Sequence, residues 1–408
     1  MSSYISIIMI RNIPRSIWAI GISSLLINAA TAVVFSASAL YLKTVLAVSI
    51  TYIGTLESVV EGIAYFTRTF SGILSDYFRR RKWFMVFGFA LLTISKPMLA
   101  FSNTYIGIFI SRTVDRLGNG LQASPRDALV SDLAPKEIKG TCYGFRQSLG
   151  LIGSTVGGLL GILVMRQSDN NFKLLFLLAS IPAVLALCVL ILFVKEKVSN
   201  NKETVNKRKI QFSSIKELGK KFWLLMTLVI FFMLGKFSEV FICLHACDNF
   251  GLNVAWGTIF PVIYSLVSAI VAYPIGKMSD KIDRKKVLLL GFIIFTLSHM
   301  AIGFAPNLYF IFLGTILWGT HEGITDSMFA SLISDYIPKE LRGTGFGLYS
   351  LLSSVSMIFA SIIAGYMSDK FGMHTAFISG SVLGIITIVI LLSIMPLLSI
   401  DKKEENVL

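Results

Sequence analysis

The sequence predicts an all-α membrane protein: twelve transmembrane helices in two six-helix bundles, with both termini in the cytoplasm. Three observations carry that prediction. The first is composition: 54% of the 408 residues are hydrophobic, only 15% are charged, and the mean hydropathy is +0.74. Soluble domains carry about 25% charged residues, and their interiors grow too slowly with length to hide this much apolar surface. The second is a charged loop signature written twice, 204 residues apart: Gly72 opens GILSDYFRRRK and Gly276 opens GKMSDKIDRKK. The third is one long polar stretch at the midpoint, residues 195–221, with nine basic and three acidic residues. A duplicated bundle joined by a solvated linker explains all three.

A spanning helix needs roughly 20 mostly apolar residues. In chain order the candidates cover 17–41, 49–71, 83–101, 104–124, 140–165 and 172–194 before the linker. After it they cover 222–247, 254–275, 287–305, 307–330, 344–367 and 373–399. The chain therefore divides into an N-terminal bundle (1–194), a cytoplasmic basic linker (195–221) and a C-terminal bundle with a short cytoplasmic tail (222–408). The first apolar stretch, behind Arg11 and Arg15, is long enough to stay as a span rather than be cleaved as a signal peptide. Within the linker, Ser199, Asn200, Asn201 and Lys202 suit solvated coil; a short amphipathic turn around 215–218 suits the inner leaflet. Of the 37 Lys and Arg residues, 27 fall on the linker side, 4 opposite (Lys43, Arg166, Lys173, Lys370) and 6 within spans. That is the positive-inside bias. The net charge of +14 is thus a topology signal, and no nucleic-acid partner is expected.

A second repeat agrees with the first. Asp132-Leu-Ala-Pro-Lys-Glu-Ile-Lys-Gly-Thr141 returns as Asp335-Tyr-Ile-Pro-Lys-Glu-Leu-Arg-Gly-Thr344, at an offset of 203. Pro135 and Pro338 stop one helix, and Lys136-Glu137 and Lys339-Glu340 fall in the first turn of the next. In the twin loops, Gly72 and Gly276 let helices approach closely. Asp76 and Asp280 are anions placed where a neighbouring helix N-terminus can hold them. Arg80 and Arg81, and Arg284 and Lys285, are cations able to pair with such carboxylates or to anchor the loop at the inner surface.

The paired Gly-x-x-x-Asp-x-x-x-basic-basic loops, with the six-plus-six layout, resemble the diagnostic motif of the major facilitator superfamily (MFS). The resemblance covers essentially the whole chain and implies a transporter in which these loops latch a cytoplasmic gate in the outward-open state. Tyr77 and Arg79 depart from it, standing where Arg and Gly are usual. Arg116-Leu-Gly-Asn-Gly120 is similar to the family's Arg-x-x-Gln-Gly segment, with Asn119 for Gln. The surrounding RTVDRLGNGLQASPRDAL, Arg112 to Leu129, resembles a branch whose members mostly lack an assigned substrate. Gly153-Ser-Thr-Val-Gly157-Gly158 falls where drug:proton antiporters have Gly-Pro-x-x-Gly-Gly. Ser154 replaces the proline, which weakens the exchange reading. Gly153, Gly157, Gly158 and Gly161 are the expected helix-packing positions. The resemblance also implies a multi-pass protein of the plasma (bacterial inner) membrane, a monomer, with no cofactor.

Ionisable side chains inside a bilayer are costly, at least about 2.5–3.5 kcal/mol each on insertion scales. Glu57 and Glu61 lie one turn apart on span two, and Arg112, Asp115 and Arg116 cluster on span four. Lys236 and Glu239 share span seven; Glu322 and Asp326 share span ten beside His321. Arg112–Asp115 and Lys236–Glu239 are spaced to pair along their own helices. Glu57, Glu61 and Glu322 have no basic residue within a turn, so they are neutralised across helices, protonated or hydrated. The family resemblance places spans one, four, seven and ten around a central cavity. It makes Asn28, Arg112, Asp115, Arg116, Glu239 and Glu322 candidates for substrate contact or proton coupling. Arg116, with Asp115 and a carboxylate of span two, is the expected coupling site. His321 is either a proton relay or a hydrogen-bonded packing residue, and His299 is expected to face lipid or a loop.

No phosphate-cradling Gly-x-x-x-x-Gly-Lys-Ser/Thr loop occurs, so ATP is not the direct energy source. Cys243 and Cys247, with His245 between them, offer only part of a metal-ligand set, and no metal is expected. The functional expectation is secondary active transport of a small solute with protons. The alternatives are a passive facilitator and, more remotely, a lipid-modifying enzyme built around Arg126 and Asp127. Both acidic and basic residues fall in the expected cavity, so neither a cationic nor an anionic cargo is singled out.

Overall fold

The computed structural model describes residues 13–48, 50–169, 171–196, 218–238, 240–251 and 259–398. Among them are thirteen α-helices and no strand. The first six are α1 (Arg15–Thr44), α2 (Ile50–Phe78), α3 (Arg81–Ala100), α4 (Tyr105–Leu133), α5 (Lys139–Gln167) and α6 (Phe172–Phe193). Then come α7 (Gly219–Gly235), α8 (Val240–Phe250), α9 (Ile259–Ser279), α10 (Arg284–Gly303), α11 (Leu308–Tyr336), α12 (Arg342–Phe371) and α13 (Met373–Ile394). Most of the linker, and with it residues 215–217, lies outside the described residues.

Side-chain caps start several helices: Thr104 accepts from Gly107 N–H at α4, Asn171 from Leu174 N–H at α6, and Asn307 from Phe310 N–H at α11. Pro135 and Pro338 each open a short 3-10 turn, Lys136–Ile138 and Lys339–Leu341, leading into α5 and α12. Among the described residues, eight helices are long and apolar enough to cross a membrane. Those carrying the charged clusters, α2, α4 and α11, fall below that standard because polar residues interrupt them. Large apolar side chains such as Ile162, Leu192, Ile270 and Ile362 stay more than half or nearly half exposed, as lipid-facing positions require.

Two expectations are corrected. Span seven is not one continuous helix: α7 ends at Gly235, and Lys236 leaves helical geometry before α8 begins at Val240. Conversely, α2, α4 and α11 run well past the apolar windows read as their spans. Apolarity ends where the charges begin, but the hydrogen-bonded helix does not. These overhangs carry Asp76, Asp132 and Asp335.

Within the first half of the chain, α1 packs on α5 and α6, α3 on α4, and α2 on α4; α9 and α10 flank α11 in the second half. The halves meet mainly through α5 against α9 and α2 against α12. Gly72 and Gly343 face each other at one crossing, and Gly140 and Gly276 at the other. A methyl at any of the four would fall on the opposing backbone or an adjacent side chain. Only glycine lets these helices come so close.

Candidate functional site

At the end of the molecule bearing the twin loops, each loop aspartate caps a helix of the other half. The two carboxylate oxygens of Asp76 accept from the backbone N–H of Gly343 (2.9 Å) and Thr344 (2.6 Å) at the start of α12. Those of Asp280 accept from Gly140 N–H (2.7 Å) and Thr141 N–H (2.8 Å) at the start of α5, and from the Thr141 hydroxyl. Charge at a helix N-terminus and two charge-assisted hydrogen bonds act together. Arg81 pairs with Asp76 (3.1 Å) and with Asp132, which also takes Arg342 from the opposite half at 2.7 Å. The second copy repeats this: Arg284 pairs with Asp280 (3.3 Å) and Asp335, which takes Lys139 from the first half at 3.2 Å. Ser131 and Ser334 hydrogen-bond to each other between the two networks. Of the other expected gate cations, Arg80 is exposed and Lys285 pairs locally with Asp283 (3.6 Å), so of the four it is Arg81 and Arg284 that pair with Asp76 and Asp280.

Deeper in the first half, charges are joined across helices. Asp115 is held by Lys96 of α3, by the Ser95 hydroxyl at 3.0 Å and by Arg116 at 3.0 Å. Arg116 reaches on to Glu61 of α2 at 3.3 Å. The expected pairing of Arg112 with Asp115 along the helix is thus overlaid by cross-helix bonds, with Arg112 itself buried within electrostatic reach of Asp115. Lys96 was not foreseen. Its signal in the sequence was faint: a lysine inside span three with no acid within a turn. Arg116 also lines a cavity of about 240 Å³ with Asn28, Thr31, Ala32 and Ser154; the Asn28 amide donates to the Gly150 carbonyl at 3.1 Å.

The second half holds its own cluster at the break between α7 and α8. The Lys236 ammonium lies 3.1 Å from Glu322 and 4.0 Å from Asp326, both on α11. Glu322 therefore finds its counter-charge on another helix. Asp326 also accepts from Gln147 of α5 at 3.1 Å, a bond between the halves. Tyr65, beside Glu61, is within electrostatic reach of Lys236, so the two clusters face one another. Glu239, and the side chain of Glu57, lie outside the described residues.

Both histidine expectations change. His299 is fully buried, not lipid-facing: it stacks on Trp318 (4.8 Å between centroids), and one ring nitrogen meets the Phe295 carbonyl. His321 is equally buried among Phe232, Phe295 and Trp318, and neither ring nitrogen has a hydrogen-bond partner. It is a packed ring without the bond expected of it. Among the span-five glycines, Gly153 and Gly157 lie against the backbone of Leu25 and Ala29 on α1. Gly161 is in ordinary contact with Val33, and Gly158 faces open space. Arg126 pairs with Asp127 at 3.1 Å, and the same carboxylate reaches Arg146 of α5 at 3.7 Å, tying α4 to α5.

The model of the Major Facilitator Superfamily matches residues 20–263 and 248–406. The chain belongs to this family. Members of the MFS handle small-molecule substrates, and this chain is accordingly a multi-pass integral membrane protein. An uncharacterized MFS-type transporter of Methanocaldococcus jannaschii is 30% identical over 396 residues, covering 94% of this chain and 96% of its own. Two solved MFS structures share the fold at 15% identity. They are the human organic anion transporter MFSD10 (TM-score 0.73, covering 92% of this chain and 99% of that one) and the proton:xylose symporter XylE (TM-score 0.70, 94% and 95%).

Proposed function

We propose that this MFS chain is a secondary active transporter, moving a small solute by alternating access with protons as the coupling ion. In this reading twelve spans form two six-helix bundles, 1–194 and 222–408, joined by the basic linker. Both termini and the twin loops are cytoplasmic, in the plasma (bacterial inner) membrane of a monomer. The observation that carries it is the mirrored latch. Asp76 and Asp280 cap helices of the opposite half, and Asp132–Arg342 and Asp335–Lys139 pair across the halves at the same end. A membrane bundle needs no such reciprocal, polar and breakable clasp unless the halves separate there. The conformation is the outward-open one, clasped at the cytoplasmic side.

Coupling is assigned to Arg116, Asp115 and Glu61. A carboxylate that exchanges an arginine partner for a drier environment changes its proton affinity, so alternating access can trade a proton gradient for solute movement. Glu322, Asp326 and Lys236 form the opposite wall. The proton:xylose symporter is a solved example of this fold for which proton coupling is named. The test is uptake of a metabolite panel into proteoliposomes under an imposed pH gradient. Gradient-driven uptake is expected in the wild type and lost in Arg116→Ala and Asp115→Asn; undiminished uptake in both variants rejects the coupling role. Flux equal with and without the gradient would instead identify a passive facilitator.

A further inference from the structure

The cavity beside Arg116 has a chemical bias that its ion pairs conceal. Its walls come from α1 (Asn28, Thr31, Ala32), α4 (Arg116) and α5 (Ser154). Among the described residues one charged side chain lines it, and it is a cation. The remaining polar groups are an amide and two hydroxyls, of which the Asn28 amide and the Ser154 hydroxyl donate to the Gly150 carbonyl at 3.1 and 3.4 Å. The volume of about 240 Å³ is below the roughly 300–1,000 Å³ of drug-sized pockets, so a metabolite-sized occupant fits.

The counter-charges of Arg116 differ in how firmly they are held. Asp115 is 1% exposed and shared with Lys96, so one carboxylate serves two cations and cannot leave without stranding both. Glu61 supplies the second negative charge. Its bond is the longer one, at 3.3 Å, and its side chain is 39% exposed, whereas Arg116 is 9% exposed. Water can receive the Glu61 carboxylate when it lets go, which makes an exposed pair weak. The arginine left behind is nearly buried and needs a replacement anion.

We infer that the cavity binds a small carboxylate-bearing solute, whose carboxylate takes the place of Glu61 on Arg116 while Thr31, the second N–H of Asn28 and the Ser154 hydroxyl, turning from the Gly150 carbonyl, donate to it. Glu61 is then a tethered stand-in for the substrate. This rests on the transport reading for its purpose but concerns binding alone. No bond is made or broken: one carboxylate replaces another on the same guanidinium.

The experiment is a binding series on the purified full-length protein with three probes of one size: butyrate, butylamine and butyramide. Thermal stabilisation and intrinsic fluorescence are the readouts. Butyrate is expected to bind and the other two not. Glu61→Gln, which removes the internal competitor, is expected to tighten butyrate binding about tenfold, equivalent to about 1.4 kcal/mol. Arg116→Lys, losing the planar fork, is expected to weaken it about tenfold or more. Asn28→Ala and Ser154→Ala leave the ion pairs intact and are expected to weaken butyrate several-fold. They keep the inference testable if Arg116→Lys does not fold. Preference for butylamine, no response to butyrate, or a Glu61→Gln protein that binds butyrate no better each overturns it. A chain that transports solutes yet prefers butylamine refutes the inference and leaves the transport reading standing. One that binds butyrate but supports no flux does the reverse.

Discussion

The two ends of the duplicated scaffold have had different histories. At the latch the halves match bond for bond: an aspartate on two backbone N–H groups, an arginine on that aspartate, and a second aspartate bridging to a cation of the other half. Mid-membrane, the halves share nothing of the kind. The first carries Lys96, Asp115 and Arg116, which are almost entirely buried. The second carries Lys236, Glu322 and Asp326 at a broken helix, with side chains 11%, 19% and 30% exposed. On the transport reading proposed above, symmetry persists where both halves perform one mechanical act, and it is lost where they meet a solute that is not symmetric.

The sharpest way to break this comparison is to remove one charge from each mid-membrane cluster. Asp115→Asn strands the buried Lys96 and is expected to destabilise the protein by about 3–5 kcal/mol, whereas Lys96→Met leaves Asp115 on Arg116 and is expected to cost less. The double variant is expected to recover much of that loss, as residues in one network do. Lys236→Met should cost less, about 1–2 kcal/mol, because partly exposed Glu322 and Asp326 can hydrate. Thermal or denaturant unfolding in a fixed detergent measures all four. Equal losses in the two clusters would show that burial is not what separates them.

The latch comparison is tested by breaking its symmetry. Asp76→Asn and Asp280→Asn each weaken two charge-assisted hydrogen bonds, worth about 1.5–3 kcal/mol together with the lost pairing. Equivalence of the two sites predicts equal opening. Spin labels at Arg79 and Glu340 flank one crossing, and labels at Glu137 and Lys281 the other; all four positions are exposed. Each variant should add a longer-distance population at both crossings, because the halves separate as bodies. Lengthening confined to the mutated crossing would refute a shared clasp.

What the sequence made legible follows from this division. The latch could be read because its parts are close in sequence: Gly72, Asp76 and Arg81 lie within ten residues, and Gly276, Asp280 and Arg284 repeat them with the arginine one residue nearer. Even so, Arg80 and Lys285 were indistinguishable from Arg81 and Arg284 in a run of cations. Only the α3 and α10 helices, by turning one residue inward, decide between them. The mid-membrane network was legible in its types but not in its pairs. Lys96 and Asp115 are 19 residues apart on neighbouring helices, and Lys236 and Glu322 are 86 apart, so spacing along one helix could not reveal these pairs. His299 was misplaced for a related reason. Apolar neighbours surround a lipid-facing residue and an aromatic core alike, and a periodicity reading cannot separate them.

A between-halves bond that belongs to neither copy of the latch offers a finer test. Gln147 of α5 donates to Asp326 of α11 at 3.1 Å, linking the cavity wall of one half to the other. Gln147→Ala removes one hydrogen bond to a charged acceptor, with an expected loss of about 1.5 kcal/mol. Since that bond joins the two halves, on the transport reading the loss should appear as latch opening between the same label pairs rather than as global unfolding.

The smallest effect probes the one place where the latch loops themselves diverge. In the second copy the helix after the loop is capped locally, Asp283 accepting from Lys285 N–H at 3.0 Å. In the first copy the N-cap position is held by Arg80, without a side-chain cap, behind Arg79 in left-handed geometry at φ 51°. There the cap comes from far away: Glu196, just beyond α6, accepts from Arg81 N–H at 2.7 Å and Lys82 N–H at 3.1 Å. Since Arg81 is the arginine that pairs with Asp76 and Asp132, the entrance to the linker is fastened to the first copy of the latch. Glu196→Gln should cost about 0.5–1 kcal/mol, the ordinary worth of a cap, and should loosen the Arg79–Glu340 crossing while leaving the Glu137–Lys281 crossing unchanged. Asp283→Ala should cost as much but disturb the second crossing alone. If Glu196→Gln moved both crossings equally, the linker would be acting on the whole interface, and the asymmetry at its entrance would have no separate role.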